Sequence, residues 1–195
     1  MTFEPTPAST WTPTRPFYKR GMLLTVGAVA WGADTLVFGT DRSGTTEQVL
    51  SALTGGPFQL GLLGLLSVLY ATKALGEGGV ARFCIRLEFV LVLLALGSTV
   101  ADGIGVSDMD EAGWAMLDAF WPLSMLGMFF IGVRIAIAGR WHGYSRFWPL
   151  VAESWAPIVV PMYGLFGSGV AGVVSFVHLC LGYGVLGQIV ARKEG

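Results

Sequence analysis

Charge is what this chain of 195 residues has least of: Asp, Glu, Lys and Arg make up 13% of it, about half the share of an ordinary soluble domain. Twelve basic and thirteen acidic residues leave a net charge of −1, which offers no electrostatic footprint for nucleic acid. Histidine and cysteine are each present twice. With no CxxC or HExxH, and with His142 and His178 expected at different depths, the sequence points to no metal and no cofactor. Cys84 and Cys180 are expected too far apart in depth to bridge, and so to stay free. No glycine-rich phosphate cradle is present.

What fills the chain instead is apolar. Hydrophobic residues make up 53%, glycine 28 positions, and mean hydropathy is +0.64, the composition of packed transmembrane helices. The predicted fold is an all-α, polytopic integral protein of the cell membrane. It has six transmembrane helices and both termini in the cytoplasm. Residues 1–18 read as a disordered Thr/Pro-rich arm, with Pro5, Pro7, Pro13 and Pro16 breaking any helix. Residues 19–193 read as one membrane domain.

Spans are expected over residues 21–40, 58–75, 83–104, 113–139, 148–166 and 169–191, each near the ~20 residues that cross a bilayer. The capping-box pattern Thr45-Thr46-Glu47-Gln48 predicts a short surface helix that stops at Gly55-Gly56-Pro57. Small residues at Ala28 and Gly32, and at Gly164, Ser168 and Gly172, are spaced for helix contact. This count puts eleven of the twelve basic residues on the inner side, leaving Arg42 outside, a one-sidedness that the positive-inside rule demands.

The stretch from Asp118 to Pro161 contains one pattern twice: Asp118-Ala-Phe-Trp-Pro122 and Glu153-Ser-Trp-Ala-Pro157. A helical proline lacks an amide hydrogen and displaces the carbonyl four residues earlier. Each acid therefore sits at its own freed carbonyl, a costly corner in hydrocarbon and a candidate working site.

At ~1.5 Å per helical residue, Asp34 and Asp118 share an outer layer, with Asp102 above them. Glu153, Glu88 and Arg134 form an inner layer, and His178 falls near mid-membrane. Asp118, Asp34, Glu153, Asp102, His178, Trp121 and Trp155 are the candidate proton- or substrate-binding residues. Arg134 is the expected ion-pair partner of Glu88 or Glu153, a structural role. His178 reads first as a helix-packing residue, and Trp121 and Trp155 either line a cavity or fill the core.

Three functions follow from this layout. The first is a proton-linked transporter or channel for a small solute or ion. The second is an intramembrane enzyme in which a protonated carboxylic acid acts on a lipophilic substrate such as an isoprenoid. Integral membrane terpene cyclases are similar in size and in their use of membrane acids, although no motif of theirs aligns. The third is a non-catalytic accessory subunit. The expected partners are the lipid bilayer and a small solute, ion or lipophile, with room for a homo-oligomer. Gly167-Ser168-Gly169 with the later His178 lacks the upstream histidine and asparagine of the rhomboid proteases, so serine-protease chemistry is not predicted.

Overall fold

The computed structural model describes residues 15–39, 44–108 and 110–194, whose regular structure is all helical, with no strand among them. The expected arm lies almost wholly outside the described residues, as does Arg42. Helix α1 spans Tyr18–Phe38, α2 Thr45–Ala71, α3 Gly79–Gly103, α4 Ala112–Asp118 and α5 Phe120–Ala138. After a 3₁₀ turn at Gly143–Arg146 come α6 (Trp148–Glu153), α7 (Trp155–Leu179), a π-helical turn at Cys180–Gly184, and α8 (Val185–Ala191). Five helical stretches are long and apolar enough to cross a membrane. Large apolar side chains such as Val37, Phe83, Phe130 and Leu165 remain exposed on their outer faces, as expected of helices surrounded by lipid.

Glycine sets how closely these helices approach. A methyl group at Gly27 of α1 would stand 2.6 Å from the Phe58 Cα of α2, and one at Gly61 equally close to the Leu24 Cα. The pairings 27 with 58 and 24 with 61 make α1 and α2 antiparallel. Gly132 meets Leu150 across α5 and α6. At the far end of the chain, Gly21 and Gly187 bring α1 and α8 together backbone to backbone. Gly32 and Gly172, but not Gly164, join the contacts expected of the small-residue sets.

The short surface helix expected before Pro57 does not form as a separate element: α2 runs unbroken from Thr45 through Pro57 to Ala71. Gly55 and Gly56 are buried inside the bundle, beside Trp31 and Leu96 respectively. Tertiary packing thus holds helical a stretch whose local signals read as a stop.

The last long stretch, 148–191, covers 44 residues, or roughly 66 Å if straight, twice a bilayer core of ~30 Å. It is not straight. Gly167 adopts φ 75°, ψ 175° inside α7, a conformation open to glycine and strained for other residues. Hydrogen bonds pair the two limbs in antiparallel order, from Trp148 Nε1 to the Gly182 carbonyl (3.0 Å) to Trp155 Nε1 on Ser175 Oγ (3.0 Å). The chain therefore turns back at Gly167, and its final limb packs on α1.

Three basic residues, Lys73, Arg140 and Lys193, make their contacts around Glu77 and Trp141. Glu77 holds Lys73 at 3.3 Å and Arg140 at 3.5 Å, and the Lys193 ammonium lies 3.8 Å from the Trp141 ring centroid. Burial there holds the Lys193 ammonium below its ordinary pKa.

Candidate functional site

Both acid/proline corners are interruptions. Helix α4 ends at Asp118 and α5 begins at Phe120, while α6 ends at Glu153 and α7 begins at Trp155. At the second corner Ser154 takes φ −73°, ψ 4°. Ladder bonds resume on either side, from Ser154 N to the Leu150 carbonyl (3.0 Å) and from Ile158 N to the Ser154 carbonyl (3.2 Å). Pro122 and Pro157 line one cleft of about 390 Å³ between α5 and α7. The two breaks thus stand opposite each other.

The corners present their acids differently. Asp118 stays on an exposed face and accepts a 3.4 Å hydrogen bond from Ser98 Oγ. Glu153 turns inward, is 3% exposed, and accepts a hydrogen bond from the Tyr183 hydroxyl at 2.5 Å. Tyr183 belongs to the π-helical turn, whose Leu181 and Gly182 carbonyls also accept from Trp148 Nε1. An added residue in a helical turn re-aims the side chains around it and is often found at functional sites; here it points the tyrosine at the carboxyl.

Glu88 completes the group from α3. It is 2% exposed, and Glu153 is near enough to act on it electrostatically. Gly127 of α5 lies directly against its carboxyl, where a methyl group would overlap Oε2. Glu88 Oε1 and Glu153 Oε1 are buried with no hydrogen-bond partner. The Arg134 ion pair expected for one of these glutamates is not made: among the described residues the ion pairs within 4 Å are those of Glu77. Arg134 lies seven residues beyond Gly127 on α5, roughly 10 Å nearer Arg140. Its exposed guanidinium extends toward the polar boundary, as long basic side chains do in membranes.

An aromatic cluster surrounds Glu153. Trp31 stacks on Phe58 with centroids 5.0 Å apart and meets Trp121 at 5.6 Å and Trp155 at 5.8 Å. Phe58 meets Tyr183 edge-on at 5.0 Å. The space left among them is about 10 Å³, at the lower limit for a single water, so Trp121 and Trp155 fill the core here. A much larger cavity, about 600 Å³, opens between α3 and α5 and reaches Glu88 at its inner wall and Arg134 at its mouth.

The other acids each find a local setting. Asp102 is half-buried and accepts from Ser107 Oγ, and Asp34 is buried on α1. His178 Nε2 lies 3.3 Å from the Ala152 carbonyl, tying the two antiparallel limbs together. Cys84 and Cys180 are free.

The sequence did not single out Tyr183, Phe58, Trp31 or Gly127. Gly182 and Gly184 beside Tyr183 were the available signal of close packing, but only the tertiary fold reveals what approaches. No protein-family model, curated protein or solved structure matches this chain.

Proposed function

We propose that the chain crosses the membrane six times with both termini in the cytoplasm. The Glu88–Glu153–Tyr183 group would then exchange protons in step with the passage of a small lipophilic solute. The topology is supported by the antiparallel order of neighbouring segments, the reversal at Gly167, and the gathering of Lys73, Arg140 and Lys193 at one end. The observation that carries the function is the carboxyl pair. Two buried glutamates from separate helices each keep an unpartnered oxygen, and neither has a cation within 4 Å among the described residues.

A buried ion that served structure alone would carry its partner with it. Two buried carboxyls close enough to act on each other electrostatically are coupled in their protonation, which suits them to take up and release a proton. The break after Glu153 supplies a hinge beside them, as broken helices do in transporters, and the aromatic cluster closes the space around Glu153.

The test is proton flux in proteoliposomes containing a pH-sensitive dye, challenged with a panel of lipophilic amines, acids and neutral compounds. The wild type is expected to move protons with one class of solute, and Glu88→Gln with Glu153→Gln to abolish this while the protein stays folded. Asp118→Asn separates the two corners: its exposure predicts a smaller effect than Glu153→Gln. Proton movement that survives the double glutamine variant overturns the assignment.

One observation favours a second reading, an acid catalyst acting on a lipophile: the cavity that reaches Glu88 is almost wholly apolar and faces the lipid side of α3 and α5. Turnover of a lipophile in detergent, where no gradient exists, is its signature.

A further inference from the structure

The cavity between α3 and α5 has three ionisable side chains, Glu77, Glu88 and Arg134, set in an otherwise apolar wall. Leu87, Leu91, Leu126 and Phe130 supply much of that wall, and the volume of about 600 Å³ is that of a site for a whole small molecule. At the inner point Glu88 Oε1 is buried without a partner. At the mouth stands Arg134, which has no carboxylate within 4 Å among the described residues. The neighbouring Glu77 is already held by Lys73 and Arg140. The mouth is therefore cationic, and its own acid is neutralised.

We propose that this groove binds a single-chain lipophile with an anionic head. The carboxylate or similar oxyanion sits on Arg134, whose planar fork suits such a group, and the near part of the chain runs along α5 for the roughly 10 Å between Arg134 and Gly127, passing Glu88, with the rest lying along the outer faces of α3 and α5. Charge complementarity selects the head. A neutral or cationic amphiphile leaves Arg134 uncompensated. The inference deepens the functional reading above by naming the class of solute, and it rests on that reading only in taking Glu88 as a working group.

The experiment uses the full chain in phosphatidylcholine nanodiscs and a 16-carbon carboxylate bearing a diazirine on its chain, with crosslinks mapped by mass spectrometry. Crosslinks are expected on α3 and α5 around Leu87 and Phe130. Oleate should compete about tenfold better than oleyl alcohol or oleylamine, the scale of one charged hydrogen bond. Arg134→Gln should erase the preference for oleate over the alcohol, and Ala81→Trp, which fills the groove wall, should remove labelling by both. Crosslinks spread over every lipid-facing helix, equal competition by oleate and oleyl alcohol, or a preference that survives Arg134→Gln would each overturn the proposal. Anion-selective binding without proton flux in proteoliposomes would leave the groove assignment standing and remove the transport reading. Proton flux with unselective labelling would do the reverse.

Discussion

Gly187 shows how a single residue holds this bundle together. A methyl group there would press into Thr25 and stand 2.5 Å from the Gly21 carbonyl oxygen, backbone atoms that cannot swing aside. Gly97 is equally helical but has nothing within 4 Å of the same position. Gly187→Ala is therefore expected to destabilise the protein by about 1–3 kcal/mol through overpacking. Gly97→Ala should be neutral or stabilise by roughly 0.5–1 kcal/mol, because alanine favours the helix. Thermal unfolding in detergent reads both, and equal effects would mean that the α1/α8 contact does not limit stability. Neither glycine is distinctive in the sequence, since composition announces tight packing without saying which glycines bear it.

At the scale of the element, the two proline corners were readable because their cause is local. The ring of Pro157 and its missing amide hydrogen leave the Glu153 carbonyl without its helical partner, and the helix breaks there; Pro122 acts likewise at Asp118. Pro157→Ala restores the amide donor for the Glu153 carbonyl, so α6 and α7 are expected to merge into one straighter helix. Thermal stability should be kept or raised, while Glu153 rotates out of reach of Tyr183 and proton flux falls. An altered near-ultraviolet tyrosine signal together with lost flux would support this; unchanged flux in a straightened helix would show that the break is incidental. Pro57 is the counter-example. The same chemistry sits inside an unbroken α2, where contacts to α1 and α3 outweigh a local stop signal.

For the whole molecule, the arrangement predicts sides. With the reversal at Gly167 and Lys73, Arg140 and Lys193 at one end, Ser107→Cys and Ser168→Cys should react with a membrane-impermeant thiol reagent added from outside, and Gly143→Cys should not. Labelling is best done on a background with Cys84 and Cys180 changed to serine, and reaction of Gly143→Cys from outside would sink the topology and every assignment of depth. The 3₁₀ turn that holds Gly143 lies between Trp141, stacked under Lys193, and Trp148, so its side is tied to that of the carboxyl terminus.

Sequence alone determined that this is an all-helical chain, where the stretches apolar enough to cross a membrane lie, and that Asp118 and Glu153 mark helix corners. These follow from solvent transfer and backbone geometry, which act residue by residue. Tertiary structure decided which acid is buried. Glu153 faces inward because α3 and the π turn bring Glu88 and Tyr183 to it, while Asp118 is left exposed beside Ser98. It also separated Arg134 from the glutamates. Equal depth in a bilayer is only one coordinate, and the rotation of each helix about its axis, fixed by which glycine meets which backbone, supplies the others.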